Sequence, residues 1–413
     1  MASSPRADGA PRPRVEPALI VIAAGVCAAL HVGKLPPAIT ALREALDMTL
    51  VQAGFLLSLV QLAGMSFGVA FGVLADGLGL RRSMALGLVV LGAASAVGGV
   101  AQGVAMLMVL RAVEGFGFLL VVLPAPGLVR RLVAPQRVSI MLGLWGAYMP
   151  LATALALLIG PLYIDLLGWR AWWWALGALS LVMAVVLLRF VPVDQAAQPT
   201  AGAPWTQRLR QTLAKPGPWL VALTFAAYSG QWIAVIGFLP AIYMQAGVSD
   251  AATGVLTALA AAANIVGNIG AGRLLHRGIA PGRLLTIGFV TMALACFATF
   301  AGAQDAGLPA WARFVAVLLF SGVGGLVPAT LFAVAVRVVP SEGTLSTTIG
   351  WLQQWSALGQ FLGPPAVAWV ASLTGGWQFT WTVTGAWSIA GLALAHALTR
   401  LIASPRSAAL VGR

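Results

Sequence analysis

The chain has 413 residues, of which 60% are hydrophobic and only 8% are charged, and its formal net charge is +13. An average soluble domain carries about 25% charged residues, so this composition cannot cover the surface of a soluble globule of this length. It excludes a cytosolic enzyme, a nucleic-acid-binding protein and a disordered protein. It indicates a chain whose outer surface faces lipid.

Twelve apolar segments follow one another, and each is close to the roughly 20 residues that a helix needs to cross a bilayer. They lack the alternating pattern of barrel strands, so they predict helices. The first six segments lie at 17–41, 48–75, 82–101, 104–128, 138–166 and 171–192. The other six lie at 217–244, 251–275, 284–303, 312–336, 345–372 and 379–400. We therefore predict an all-α membrane protein with twelve transmembrane helices in two pseudo-symmetric six-helix bundles.

Polar segments flank and divide these helices. We expect an N-terminal tail at 1–16, a bundle at 17–192, a linker at 193–216, a second bundle at 217–400 and a C-terminal tail at 401–413. With the N-terminus inside, 19 of the 24 Lys and Arg residues fall on the inner side. The positive-inside rule then predicts that both termini and the linker are cytoplasmic. We expect a multi-pass protein of the bacterial inner membrane.

The two halves of the chain share short segments at a nearly constant spacing. Gly72 follows the second helix and Gly272 follows the eighth, 200 residues later. Gly168-Trp169-Arg170 recurs as Gly376-Trp377-Gln378, 208 residues later. An ordered series of this kind indicates a duplicated six-helix unit.

Two segments carry a resemblance to a known family. Residues 72–82 read Gly-Val-Leu-Ala-Asp-Gly-Leu-Gly-Leu-Arg-Arg and resemble the signature loop of the major facilitator superfamily, Gly-x-Leu-Ala-Asp-Arg-x-Gly-Arg-Lys. Residues 111–117 read Arg-Ala-Val-Glu-Gly-Phe-Gly and resemble its fourth-helix motif, Arg-x-x-Gln-Gly-x-Gly. The resemblance implies the major facilitator fold, transport by alternating access and no cofactor. It also implies that the signature loop is a conformational clamp, formed by Gly72, Asp76, Gly79, Arg81 and Arg82.

Two further segments are similar to the cyanate and 2-nitroimidazole porter subfamily. They are Met-Leu-Gly-Leu-Trp at 141–145 and Leu-Pro-Ala-Ile-Tyr at 239–243. The segment 31–37, His-Val-Gly-Lys-Leu-Pro-Pro, departs from the subfamily pattern and leaves the substrate open.

Ionisable residues within the helices are the first candidates for a site, because an ionised side chain at mid-bilayer costs roughly 2.5–3.5 kcal/mol. His31 and Lys34 share one helical face beside Pro36 and Pro37. One interpretation is that Lys34 binds a substrate anion and His31 donates a hydrogen bond or carries a proton. The alternative is that Lys34 reaches to the outer interface and His31 packs inside the bundle.

Arg111 and Glu114 also lie one turn apart and are predicted to pair. Glu114 could bind a proton and release Arg111 for an anion. A fixed structural ion pair is the equal alternative.

The second half offers polar and aromatic residues in place of charges. The substrate-binding candidates are Tyr228, Gln231, Trp232, Asn264 and Gln353. Each could instead join neighbouring helices. Trp169 and the run 172–174 follow an outer loop and are predicted to form an interfacial belt.

The predicted function is secondary active transport of a small anion or a small polar organic solute, coupled to a proton or a counter-substrate. We find no ATP-binding loop and no catalytic motif, so we expect a protein that is not an enzyme, with no metal site. Membrane lipids are expected partners, nucleic acid is not, and a monomer is expected. The alternative is efflux of drugs or apolar compounds. A non-transporting sensor is disfavoured, because the linker 193–216 is too short for an output domain.

Overall fold

The computed structural model describes residues 16–69, 79–193, 204–302, 307–341 and 344–403. Helices α1 to α4 are Pro17–Leu46, Leu50–Val69, Leu80–Gly98 and Val104–Leu132. The stretch Pro135–Phe190 contains α5 and α6, which meet at Gly168. The second half contains α7 to α12, which are Pro216–Gln245, Asp250–His276, Pro281–Phe300, Ala310–Ala335, Leu345–Thr374 and Thr380–Ala403. The predicted all-helical class is therefore confirmed.

Ten stretches of the described residues are long and apolar enough to cross a membrane, and the one at Pro135–Phe190 has 56 residues and holds two predicted helices. Gly168 separates these two with a φ of 80°, which glycine adopts without steric cost. The ten do not include α11, whose apolar run is interrupted by glutamines at 353, 354 and 360. The count of twelve crossings stays a prediction.

The first helix is broken where the sequence places two prolines. Regular helix ends at Gly33, and a 3-10 turn at Pro36–Ala38 leads into the segment Ile39–Leu46. Proline has no N–H to continue the helical hydrogen bonds, so the chain changes direction here. At this break the backbone carbonyl of Lys34 accepts a hydrogen bond from Trp172 Nε1 at 3.1 Å.

Glycines bring the two halves together at the end of the molecule that carries Ile39–Leu46. In α2, a Cβ on Gly54 would lie 2.9 Å from the Pro365 Cα of α11. In α8, a Cβ on Gly254 would lie 3.2 Å from the carbonyl oxygens of Leu157 and Leu158 in α5. Small residues of this kind let helix backbones approach closely. This end of the interface between the halves is closed.

At the opposite end, α5 and α8 diverge. A Cβ on Gly143 or Gly146 of α5, or on Gly272 of α8, would meet no atom within 4 Å. The α2–α11 contact continues there, because a Cβ on Gly68 would lie 3.1 Å from Gln354 Cβ. The interface therefore opens on one side, between α5 and α8.

Candidate functional site

A cluster of charged side chains lies inside the N-terminal half, where the break in α1 faces α4. Lys34 Nζ is 2.5 Å from Glu114 Oε1, and Arg111 Nη1 is 2.6 Å from Glu114 Oε2. The exposed fraction is 0% for both cations and 1% for Glu114. The predicted pair of Arg111 and Glu114 is therefore present, and Lys34 joins it. Lys34 does not reach to a membrane interface.

Lys34 is held by groups from four helices. Besides Glu114 on α4, its ammonium contacts Ser95 Oγ of α3 at 2.9 Å and His31 Nδ1 of α1 at 3.3 Å. It also lies 4.6 Å from the centroid of the Trp173 ring on α6, a cation–π contact. All of these groups are buried. The Lys34 ammonium is thus surrounded by hydrogen-bond partners and an aromatic ring, and it is shielded from solvent.

His31 and Arg111 extend the cluster to α2 and α6. His31 Nε2 is 2.7 Å from Ser180 Oγ. Arg111 Nη1 donates to the His31 carbonyl at 2.6 Å, and Arg111 Nε donates to the Leu56 carbonyl at 3.3 Å. The Nη2 atom of Arg111 is buried without a hydrogen-bond partner. The guanidinium therefore ties two backbone segments to one carboxylate and leaves both N–H donors of Nη2 unused.

The belt of tryptophans predicted on this half is only partly correct. Trp172 and Trp173 are 4% and 0% exposed, and Trp169 is 5% exposed, so these rings belong to the bundle interior. Trp174 is 47% exposed and fits the prediction. The prediction is wrong for the other three because their rings pack inside the bundle, where Trp172 Nε1 donates to the Lys34 carbonyl and Trp173 lies over the Lys34 ammonium. Trp172 and Trp173 thus cover the charged cluster.

Three of the polar candidates in the second half bond to one another around Ser321 on α10. Asn264 Nδ2 donates to Tyr228 Oη at 2.8 Å and to the Ser321 carbonyl at 2.9 Å. Trp232 Nε1 donates to Ser321 Oγ at 3.1 Å. Asn268 Nδ2 donates to Asn264 Oδ1 at 2.9 Å. This neutral network joins α7, α8 and α10 beside the break of α10 at Gly325.

Gln231 forms a separate contact with α12. Its Oε1 accepts a hydrogen bond from Ser388 Oγ at 3.0 Å, and its Nε2 donates to the Ala227 carbonyl at 2.9 Å. Neither Ser388 nor its counterpart Ser180 stood out in the sequence. The spacing of 208 residues between them, which the repeated Gly-Trp segments also show, is the signal that could have identified both.

A small cavity lies between the two halves, in the part of the interface on the side where α5 and α8 diverge. Its volume is about 60 Å3. Its polar lining comes from Gln61 of α2, Tyr148 of α5, and Gln353, Ser356 and Gln360 of α11. Its apolar lining comes mainly from Phe118, Leu119, Val122, Leu123 and Met149. Of the predicted substrate-binding residues, Gln353 lines this cavity.

Two contacts set the shape of the cavity wall. Gln61 Nε2 donates to Gln360 Oε1 at 2.9 Å and so links α2 to α11. The Tyr148 ring stacks on Trp145 with centroids 4.4 Å apart. Trp145 in turn packs against Gly25 of α1, where a Cβ would overlap its ring. The amide pair and the Tyr148 ring therefore both form part of the cavity wall, and Trp145 supports that ring from behind.

The predicted clamp is described only in part. Gly72 and Asp76 lie outside the described residues. Gly79 precedes α3 with a φ of 85°, a conformation that favours glycine. Arg81 Nη2 donates to the Leu188 carbonyl of α6 at 2.8 Å, and Arg82 is exposed. The clamp stays a prediction.

The sequence matches a known family of proteins over most of its length. A sequence profile described as the Major Facilitator Superfamily matches residues 21–342 and 220–410. A 2-nitroimidazole transporter of Escherichia coli (strain K12) is 27% identical over 352 residues, which cover 83% of this chain and 84% of that protein.

Two export proteins match over shorter lengths. The tetracenomycin C resistance and export protein of Streptomyces glaucescens is 27% identical over 189 residues, which cover 45% of this chain. An MFS-type efflux pump of Mycolicibacterium smegmatis is 35% identical over 158 residues, which cover 36% of this chain. The match spans about a third of the length of each relative, 35% and 36% respectively.

Solved structures agree with the fold. A bacterial homologue of the human lysosomal transporter Spinster, in an inward-facing and unoccupied conformation, has a TM-score of 0.69 at 16% identity, covering 96% of both chains. Its inward-facing and occupied conformation has a TM-score of 0.70 at 17% identity, covering 97% of this chain and 96% of that one. The chain therefore belongs to the Major Facilitator Superfamily of membrane transporters.

Proposed function

We propose that this transporter moves a small, uncharged polar organic solute by alternating access, and that the solute binds in the cavity between the two halves. The observation that carries the proposal is the lining of that cavity. Gln61, Gln353 and Gln360 supply amide donors and acceptors, and Tyr148 supplies an aromatic wall. A few polar groups set in a mostly apolar wall match the lining of small-molecule sites, whose cavities measure about 300–1,000 Å3. The two halves therefore have to separate further around this cavity of about 60 Å3 to admit the solute.

The charge distribution supports an uncharged solute over an anion. Lys34 and Arg111 contact Glu114 at 2.5 and 2.6 Å and do not line the cavity. To bind an anion, either cation would have to leave this carboxylate, and breaking a buried pair costs several kcal/mol. We therefore assign Lys34, Arg111, Glu114 and His31 to coupling and to bundle stability. We assign Tyr228, Gln231, Trp232 and Asn264 to joining the helices of the second half.

The orientation of the cavity follows from the loop charges. The positive-inside rule places the diverging ends of α5 and α8 on the cytoplasmic side. We propose that this conformation is open to the cytoplasm, with Gly54 and Gly254 forming the closed extracellular end. In alternating access the opening between the two halves moves from one side of the membrane to the other, as in other transporters built from structural repeats.

The 2-nitroimidazole transporter supplies a probe. It matches over most of both chains, and 2-nitroimidazole is a small planar heterocycle with hydrogen-bonding groups that amides can meet. We propose such a flat polar heterocycle as the substrate class. A proton or a counter-substrate supplies the driving force.

Uptake of 2-nitroimidazole into proteoliposomes tests this proposal. Gln353→Leu removes an amide from the cavity and is expected to lower uptake by about tenfold, which corresponds to ~1.4 kcal/mol. Gln245→Leu is the matched control, because Gln245 bonds Trp377 at the closed end and lies away from the cavity. The control is expected to retain wild-type uptake. Equal uptake by both variants would contradict the cavity assignment.

Efflux of apolar compounds is the second candidate. The five apolar residues of the cavity wall favour it, and two matched relatives are export proteins. Competition separates the two candidates. Inhibition of 2-nitroimidazole uptake by a small polar heterocycle supports the first, whereas inhibition by ethidium alone supports efflux.

A further inference from the structure

The cluster around Lys34 contains more positive charge than its carboxylate can balance. The groups that face Lys34 are His31 from α1, Ser95 from α3, Arg111 and Glu114 from α4, and Trp172 and Trp173 from α6. Both cations contact the single carboxylate of Glu114. Arginine keeps its proton in proteins, so any adjustment of charge falls to Lys34, His31 or Glu114.

The three choices differ in the charge that they leave buried. Protonation of Glu114 leaves two cations without an anion, and protonation of His31 adds a third positive charge. Loss of a proton from Lys34 leaves only Arg111 and Glu114, which balance each other. An uncompensated charge in an apolar interior is strongly unfavourable, so the third choice is preferred.

We infer that Lys34 carries the proton that couples this transporter to the proton gradient. The step is release of one proton from the ammonium of Lys34 to a water molecule that reaches the cluster when the bundle rearranges, which leaves a neutral amine, and the reverse step reloads it. This inference rests on the proposed function of secondary transport. It gives His31 and Glu114 the role of hydrogen-bond acceptors that hold the loaded lysine.

The hydrogen bonds indicate which form this conformation holds. Ser95 Oγ donates to the Trp173 carbonyl at 2.7 Å, so its oxygen faces Lys34 as an acceptor. In the tautomer of His31 that carries its proton on Nε2, next to Ser180 Oγ, the Nδ1 atom is an acceptor, and with Ser95 Oγ and Glu114 Oε1 it gives Lys34 three acceptors. An ammonium has three N–H donors and fills all of them, whereas a neutral amine has two. The conformation described here therefore fits the proton-loaded form.

The position of Lys34 connects its charge to the contact between the halves. Its backbone N–H closes the last turn before the break in α1 by donating to the Leu30 carbonyl at 2.7 Å. Beyond the break, Pro37 packs on Gly160 of α5, and Thr40 Oγ1 lies 3.9 Å from Met244 Sδ of α7. A change of charge at the break is thus transmitted to the segment that closes the interface against the second half.

The equivalent position in the second half contains no ionisable group. A shift of 200 residues, which also relates His31 to Gln231, places Ala234 at the position of Lys34. The buried charged residues of the described chain are His31, Lys34, Arg111 and Glu114, all from the first half. Proton coupling is therefore assigned to the N-terminal bundle alone.

Spin-label distance measurements on the full chain in lipid nanodiscs, without added solute, test this inference. Labels at Ile140→Cys in α5 and Val266→Cys in α8 report the open side, since these residues are 63% and 72% exposed and the native cysteines are buried. In the wild-type background the long distance is expected to shift to a short one as the pH rises from about 6 to about 10. Lys34→Arg keeps a permanent charge and is expected to hold the long distance throughout. Lys34→Met is expected to show the short distance throughout.

Three results would overturn the inference. They are a wild-type distance that does not change with pH, a Lys34→Arg variant with the wild-type pH response, and a His31→Asn variant that loses the response. If Lys34→Met fails to fold, Lys34→Arg decides alone, because it retains the ion pair with Glu114. The measurement uses no solute, so a failure of 2-nitroimidazole as a substrate would leave its outcome unchanged.

Discussion

His31 and Gln231 lie 200 residues apart, and each contacts a serine on the last helix of its own bundle. His31 Nε2 is 2.7 Å from Ser180 Oγ, and Gln231 Oε1 is 3.0 Å from Ser388 Oγ. The duplicated unit has thus kept one interhelical contact in both copies while its chemistry diverged. In the first copy this contact borders ionised groups, and in the second it borders neutral ones.

A double-mutant cycle on Gln231 and Ser388 should show the strength of this contact where no charge intervenes. We expect Gln231→Leu and Ser388→Ala each to lower the free energy of unfolding by about 1 kcal/mol, with a coupling energy of about 0.6 kcal/mol. Unfolding in mixed micelles measures all four proteins. Strict additivity of the two changes would argue against the hydrogen bond.

Removing the carboxylate of the charged cluster should destabilise the protein far more. Glu114→Gln leaves Lys34 and Arg111 buried without an anion, so we expect a loss of about 3–5 kcal/mol in the free energy of unfolding. Glu16→Gln is the matched control, since it breaks the exposed pair with Arg137. Exposed pairs contribute at most about 1 kcal/mol. Similar losses for both variants, measured by thermal unfolding, would disprove the special role of the buried carboxylate.

A larger side chain at the closed end should open it. Gly54→Val places a side chain against Pro364 and Pro365, where a Cβ would already lie 2.9–3.0 Å from their backbone atoms. We expect this variant to favour the conformation in which the α2–α11 contact separates. Spin-label distances between α2 and α11 at this end should lengthen. Gly143→Val is the control, because nothing lies within 4 Å of its Cβ, and a lengthened distance in that variant would count against the steric explanation.

A substitution behind the cavity wall should weaken transport without touching the solute. Gly25→Ala displaces the Trp145 ring and with it the stacked Tyr148. We expect this overpacking to lower the free energy of unfolding by about 1–3 kcal/mol. We also expect 2-nitroimidazole uptake to fall at least severalfold. Gly146→Ala lies on the same helix as Trp145 in open space and should behave as wild type. Unchanged uptake by Gly25→Ala would remove Tyr148 from the proposed site.

The fold could be predicted from the sequence because membrane helices carry a strong apolar signal. The predicted helices at 104–128 and 217–244 correspond to Val104–Leu132 and Pro216–Gln245. The boundary between α5 and α6 was harder to predict from the sequence. Glycine at 168 indicates a turn, but the sequence does not show that helix continues on both sides of it. The inward position of Trp172 and Trp173 could not be predicted either, because it depends on their contacts with Lys34 of another helix.

The members of the charged cluster could be named from sequence, since ionised residues are rare in apolar helices. Their mutual arrangement could not be predicted. Nothing in the local sequence shows that Lys34 and Glu114, 80 residues apart, meet at 2.5 Å. The cavity was even harder to foresee. Gln61 and Gln360 lie on helices from different halves and resemble many polar residues that join helices, so only the packing of α2 on α11 brings them together.

Membrane voltage acts on charge, and the charge buried within the described helices lies in one bundle only. Moving one elementary charge through the whole field of a membrane at 100 mV is worth about 2.3 kcal/mol. Lys34 and Arg111 outnumber Glu114, so the N-terminal bundle carries a net charge through part of that field whenever it rocks. The described helices of the C-terminal bundle contain no buried charge of this kind. A negative cell interior would therefore favour one orientation of the proton-loaded N-terminal bundle. The rate of transport would then depend on the membrane potential as well as on the proton gradient.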